Sequence, residues 1–281
     1  MSTLNLIHDT YGYEKRLNFF KENLEEINPK NILDIGCGTG DLLTIPLSSH
    51  FTKIIVYGFD SDKYSIDIAS QNNILSNLSF LNDLKIAEDL KFNVVIASEV
   101  IEHVENPYQF LLNLRSYIDN TSKSRIFITL PNGYGPYEFN TLFENILYTF
   151  KINILIKSIK SIFISKSINN LQKDTLANSP HLNFFSFNEI TKLFHDAGLE
   201  IIKYEPRTFL CGPYFSRIIE FFKLTKWNET IVRSLPKQMA SGWMFILKIK
   251  SDPINSTWKR SGWSTMRKNF NLKRANLSHL I

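Results

Sequence analysis

The sequence has little that would hold a chain together without a packed core. Only two cysteines, Cys37 and Cys211, occur in 281 residues, which excludes a disulfide scaffold and a multi-cysteine zinc site. No uncharged apolar run approaches the roughly 20 residues that a bilayer-spanning helix needs. The greasiest stretch, Phe139 to Asn170, is interrupted by Lys151, Lys157, Lys160 and Lys166. The N-terminus shows no basic region followed by an apolar one, so no secretory signal is read and the reducing cytoplasm is the expected compartment. The body also lacks charge of one sign. The formal net charge is +5, and beyond residue 250 six basic residues (Lys259, Arg260, Arg267, Lys268, Lys273 and Arg274) stand against Asp252 alone. The whole excess therefore sits in the tail and residues 1–250 are neutral. That argues against a protein whose entire surface is a nucleic-acid footprint. There is no internal repeat.

What is present is an ordinary globular composition, 43% hydrophobic and 21% charged, arranged as short apolar runs alternating with helix-like segments. Residues 14–27 place Leu17, Phe20, Leu24 and Ile27 on one helical face. Strands are expected at Asn31–Gly36, Ile54–Asp60, Leu78–Leu81, Phe92–Ser98, Arg125–Leu130, Glu200–Tyr204 and Trp243–Lys250. Helices are expected over Asp41–Ser48, Asp62–Asn72, Glu105–Ile118 and Phe187–Ala197. This pattern predicts an α/β fold: a doubly wound, mainly parallel seven-stranded sheet with helices on both faces. The alternation halts over 133–180, read as a helical insertion or lid, and the weakly patterned tail 251–281 is read as a basic extension. Residues 1–132 and 181–250 then form the main domain.

Three constellations carry chemistry. In the first, the buried run Asn31-Ile32-Leu33-Asp34-Ile35 enters Gly36-Cys37-Gly38-Thr39-Gly40. Glycines let the backbone turn sharply and approach a ligand closely, and the N-terminus of a following helix favours a polar group. Asp60 closes the second strand, where a carboxylate reaches the hydroxyls of a ribose. The spacing G-x-G-x-G, with Asp34 ahead of it, differs from the G-x-G-x-x-G that accommodates a pyrophosphate. An acid there suits a cationic ligand and points away from a nicotinamide dinucleotide.

The second constellation is Ser98-Glu99-Val100-Ile101-Glu102-His103, leaving the carboxyl end of the fourth strand, where ligand crevices of open α/β sheets lie. Glu99, Glu102 and His103, at i, i+3 and i+4, can share one helical face. His103 can act as a general base, the three can chelate a divalent ion, or they can simply bond one another. A third, the loop Leu130-Pro131-Asn132-Gly133-Tyr134-Gly135-Pro136-Tyr137-Glu138, offers Tyr134 and Tyr137 to an acceptor or serves as a rigid exit with the tyrosines packed. Within 139–170, Ile and Phe at helical spacing with lysines between fit a lid packed on the sheet, or an interfacial helix giving peripheral membrane contact.

These residues resemble the class I S-adenosylmethionine-dependent methyltransferases, with a Rossmann-like fold. The resemblance implies S-adenosyl-L-methionine as cofactor. It places Gly36, Cys37, Gly38 and Gly40 around the methionine part, Asp34 near its ammonium or sulfonium, and Asp60 on the ribose hydroxyls. It further places Asp83 at the adenine and Ser98 at the end of the strand beside the cofactor. The E-x-x-E-H run is similar to that of ubiquinone-pathway O-methyltransferases, and to small-RNA 2′-O-methyltransferases in which it is a metal site. The segment Ser179–Ser186 is similar to a His-containing stretch of the same enzymes, which adds His181 to His103 and Glu102 as a catalytic candidate. The expected activity is methyl transfer to a hydroxyl of a small or lipid-linked molecule. No metal is assigned, although Glu99, Glu102 and His103 are a set that a divalent ion could use. The alternatives are N-methylation, RNA 2′-O-methylation, and a non-catalytic cofactor-binding assembly protein.

Overall fold

The computed structural model describes residues 12–85, 90–119, 121–136, 138, 180–211, 215, 218–219 and 221–278. The expected insertion and its proposed membrane contact, along with Tyr137, lie outside the described residues apart from the entry at 133–136 and 138. Seven strands form one sheet: β1 (Asn31–Ile35), β2 (Ile55–Phe59), β3 (Leu78–Leu81), β4 (Val94–Ser98), β5 (Arg125–Pro131), β6 (Leu199–Pro206) and β7 (Gly242–Ile249). Their order is β3-β2-β1-β4-β5-β7-β6. All neighbours are parallel except β7, which runs antiparallel to both β5 and β6. The described helices are α1 (Tyr13–Ile27), α2 (Thr44–His50), α3 (Lys63–Asn72), α4 (Pro107–Tyr117), α5 (Phe187–Asp196), α6 (Thr225–Ile231) and α7 (Gly262–Ser278).

The central strands are apolar almost throughout because both faces are covered, and the side-chain period of two divides them between two cores. Leu33 and Ile35 of β1, Val95 and Ala97 of β4, and Ile126, Ile128 and Leu130 of β5 enter one core, with Leu111 and Leu114 of α4 and Leu193 and Phe194 of α5. Ile32, Val94, Ile96 and Phe127 point the other way, onto Phe20 and Leu24 of α1 and Leu47 of α2. The rings of Phe20 and Phe127 lie 5.5 Å apart, so the buried aromatic face of α1 fixes that helix across the middle of the sheet. Helix α5 is started by a capping box: Ser186 Oγ accepts from the Glu189 amide, and the Glu189 carboxylate accepts from the Ser186 amide. Such a box contributes about 1 kcal/mol.

This order reverses direction between β1 and β4, the place where the loops leaving both strands separate and leave a crevice. Three local differences from the sequence reading follow from long-range contacts. The helix after the glycine turn begins at Thr44 rather than at Asp41. Residues Glu99 to His103 form a turn rather than a helix, with the His103 amide donating to the Val100 carbonyl at 2.9 Å. The tail is helical from Gly262 to Ser278.

Candidate functional site

At the end of β1 the chain turns through Gly36, whose φ is +78°. The Gly36 and Cys37 amides both donate to the Phe59 carbonyl of β2, at 2.7 and 3.0 Å. A side chain on Gly36 has no room, since its Cβ would lie 2.4 Å from Val100 Cγ2. The space over Gly38 is open, with no atom within 4 Å of where a Cβ would point. Asp60 is aimed at this turn: one carboxylate oxygen accepts from the Gly38 amide at 2.8 Å and the other from the Asp62 amide at 2.8 Å. Those bonds fix the carboxylate and leave lone pairs on each oxygen for a ligand hydroxyl.

Asp34 is buried, 2% exposed, and accepts from Thr44 Oγ1 at 2.7 Å. Burial pushes its pKa up to about 7; the Thr44 hydrogen bond and the charge of Arg16 oppose that rise, while Asp60 adds to it. A carboxyl so poised is divided between its neutral and ionised forms near pH 7, and a cation beside it favours the ionised form. Cys37 has its thiol pushed up by burial and by both aspartates, so it lines the turn as a small apolar group rather than a nucleophile. Ser98 Oγ bonds Thr129 Oγ1 across β4 and β5 at 2.9 Å. Asp83 stands in an exposed turn after β3, accepting the Lys85 amide at 2.9 Å.

Beyond β4 the acidic run separates into two groups. Glu99 adopts a φ of +60°, unusual for a residue with a side chain and worth of order 1–3 kcal/mol of strain. Its carboxylate accepts a short bond from Arg207 and a 2.8 Å bond from Thr129, and lies 3.7 Å from Arg16. Burial alone would raise its pKa, but Arg207 and Arg16 outweigh it and hold the carboxyl well below the usual range. Glu99 is thereby committed to two guanidinium groups. This corrects the expected ion-binding set of Glu99, Glu102 and His103.

Glu102 and His103 turn the other way and meet His181. Ligand atoms of Glu102, His103 and His181 lie within 4.8 Å of one another. Glu102 is 2% exposed, and its Oε2 has no hydrogen-bond partner among the described residues. Burial and the Glu99 charge raise its pKa, which favours the neutral acid. The His103 and His181 rings meet edge to face at 4.9 Å. Burial, followed by the charge of His181, pushes His103 down to about 4. Burial works against a charged His181 as well, yet the Glu138 carboxylate, 2.6 Å from Nδ1, carries it up to about 9. Near pH 7 the cluster therefore contains a neutral imidazole at His103 beside an imidazolium–carboxylate pair.

Val100 lies against Gly36, while on either side of it Glu99 turns to Arg207 and Arg16 and Glu102 to His103 and His181. Sequence reasoning brought together Asp34, Gly36, Gly38, Asp60, Glu102, His103 and His181. It missed Arg16 and Arg207, which electrostatically connect the glycine turn to the acidic run, and Glu138, which orients His181. Their signal is weak in sequence: Arg16 is one of several polar residues on an amphipathic helix and Arg207 follows a strand with no motif around it, whereas Glu138 closes the glycine- and tyrosine-bearing loop after the fifth strand, where no role was read for it.

A mixed seven-stranded sheet with one reversed strand, its order switching direction between β1 and β4, defines a Rossmann-like α/β protein. A family model described as a methyltransferase domain matches residues 7–204, and the chain belongs to that family. Among curated proteins it is 36% identical over 118 residues to the ubiquinone biosynthesis O-methyltransferase of Rickettsia typhi, covering 41% of this chain and 46% of the relative. The chain thus spans about half the length of that relative. With the ubiquinone biosynthesis O-methyltransferase of Rickettsia canadensis it shares 27% identity over 202 residues, 70% of this chain and 72% of the other. Among solved structures, magnesium protoporphyrin IX methyltransferase from Synechocystis PCC 6803 with bound SAM has the same fold. That match has a TM-score of 0.50 at 14% identity, covering 89% of this chain and 86% of that one.

Proposed function

We propose that the protein transfers the methyl group of S-adenosylmethionine to a hydroxyl of a small or lipid-linked molecule. The observation that carries this reading is the Val100–Gly36 contact. It seats the turn that Asp34 precedes and Asp60 bonds against the Val100–His103 segment, whose last residue carries the neutral imidazole. Arg16, 3.7 Å from Glu99, also lowers the Asp34 pKa and so ties the acid ahead of the turn to the acidic run. In the reaction the acceptor oxygen attacks the methyl carbon, the carbon–sulfur bond breaks, and the sulfur leaves as a neutral thioether. The hydroxyl proton, made acidic as the new carbon–oxygen bond forms, passes to His103. The sulfonium already supplies the driving force, so alignment accounts for most of the rate.

The names of the Rickettsia relatives support a hydroxyl acceptor over an amine. The tail weighs against an RNA acceptor, since three of its basic residues are engaged with the protein itself: Arg267 with Glu138, and Arg260 and Lys268 with Glu105. No described helix is long and apolar enough to cross a membrane, so a lipid-linked acceptor would be met at a surface.

A second reading, carried by the convergence of Glu102, His103 and His181, is that these three hold a divalent ion. Two imidazoles and one carboxylate suit a transition metal better than magnesium, and the unpartnered Glu102 Oε2 fits a ligand role. The ion would polarise the acceptor oxygen. This chain's own part is then to orient His181 through Glu138 and to keep Glu99 out of the set through Arg207.

The experiment that tests methyl transfer is incubation with methyl-labelled S-adenosylmethionine and fractionated cell extract. A labelled methyl ether is expected. Label on nitrogen, or none in any fraction, would overturn the reading.

A further inference from the structure

We propose that the C-terminal segment is a wall of the acceptor site and that Arg267 is the positioning residue that holds Glu138, and through it His181, in place. This rests on the methyl-transfer reading for its effect on turnover, but not for its geometry. The guanidinium of Arg267, in a side chain only 6% exposed, lies over the Phe184 ring with its carbon 3.7 Å from the centroid. From there it donates short bonds to the Gly133 carbonyl and to the Glu138 carboxylate. Glu138 uses its other oxygen on His181 Nδ1 at 2.6 Å. A planar fork with several fixed donors can reach a carbonyl and a carboxylate at once while its face stacks on an aromatic ring; an ammonium cannot.

Other contacts of the tail reach the same short stretch. Asn271 Nδ2 donates to the His181 carbonyl at 3.2 Å. Arg260 donates to Asn183 Oδ1 at 2.8 Å, and the Asn183 amide group donates onward to the Ile101 and Val104 carbonyls. Ser264 donates to the Phe184 carbonyl at 3.3 Å. Helix α7 therefore grips the loop carrying His181 from outside while Glu102 grips it from inside, its carbonyl accepting the Leu182 and Asn183 amides at 2.8 and 2.9 Å. The loop after β5 is closed in as well: the Gly133 amide donates to the Phe185 carbonyl at 2.9 Å, and a Cβ on Gly133 would meet Phe184 backbone at 2.5 Å. Among the described residues, none of these tail contacts reaches the glycine turn. Their consequence is confined to the acceptor side.

The test compares Arg267→Gln and Arg267→Lys in the full chain with three readouts. Calorimetry with S-adenosylmethionine should give an unchanged affinity in both. Proton NMR should show the downfield hydrogen-bonded imidazole proton of His181, assigned by its absence in His181→Gln, lost in Arg267→Gln and shifted in Arg267→Lys. Turnover on the acceptor found by labelling should fall about 10- to 100-fold in Arg267→Gln, with partial recovery in Arg267→Lys. Should Arg267→Gln fail to fold, Phe184→Leu removes the aromatic seat while keeping the charge, and the same resonance should move. An unchanged His181 resonance in a folded Arg267→Gln or Phe184→Leu protein overturns the proposal, even if wild-type methyl transfer stands. If no acceptor is ever methylated, the NMR result still decides the positioning claim by itself.

Discussion

Val100 occupies the one side of Gly36 on which no side chain stands, and a Cβ there would come within 2.4 Å of Val100 Cγ2. The φ of +78° adds a penalty that any L-residue would meet. Gly36→Ala should therefore displace the turn after β1. Backbone strain of this kind costs of order 1–3 kcal/mol, so the dissociation constant for S-adenosylmethionine should rise by about 5- to 150-fold. Calorimetric titration checks it; an unaltered affinity would detach the turn from cofactor binding.

Asp34 predicts a pH dependence. Its folded pKa is raised from 3.8 to about 7, so the folded state holds a proton that the unfolded chain gives up. The stability this provides is complete below about pH 4 and lost as pH rises through about 7. Asp34→Asn should flatten that part of the stability–pH curve, measured by denaturant unfolding. A cationic ligand favours the ionised carboxyl, so S-adenosylmethionine should bind more tightly as pH rises through 7 and release a proton on binding just below it. Titration in two buffers of different ionisation enthalpy reads the proton directly. No proton release near pH 6 would remove Asp34 from the cation's surroundings.

Several strands were legible because their rules are local. Leu78–Leu81 was read to the residue, and β1 and β5 to within one, since continuous apolar runs bounded by glycine, proline and polar turns leave few alternatives. Asp34, the glycines and Asp60 were legible for the same reason: strand, turn and acid follow one another in the chain. The turn at Glu99–His103 was misread as a helix face because i, i+3 and i+4 spacing carries no information about Arg207, which arrives from more than a hundred residues away and draws Glu99 off the line. Helix α7 was missed because what orders it is tertiary. Trp258 packs on Phe185 and Arg267 on Phe184, while its own sequence is polar with no strong apolar stripe. The +5 charge likewise reads differently once Arg260, Arg267 and Lys268 are seen paired within the chain.

The separation of Glu99 from Glu102 makes their variants behave differently. Glu99→Gln strips the charge from a carboxylate that answers Arg207 and Arg16, and should lower stability by about 1–3 kcal/mol, read by denaturant unfolding. Glu102→Gln should leave stability near wild type, since it replaces a carboxyl already biased toward its neutral form, while weakening any divalent ion. If an ion is held, chelation should abolish turnover and manganese should restore it in Glu99→Gln better than in Glu102→Gln. Full turnover after chelation would end the metal reading and leave proton transfer alone.

The most direct measurement of the whole account is a paired one on His103→Ala: affinity for S-adenosylmethionine by calorimetry, and turnover of the acceptor with labelled cofactor. The account predicts an affinity within about twofold of wild type and a turnover lower by roughly 10²- to 10⁴-fold, the usual contribution of a positioned base. Turnover close to wild type, or affinity lost together with it, would contradict the assignment of His103 as the group that takes the acceptor's proton.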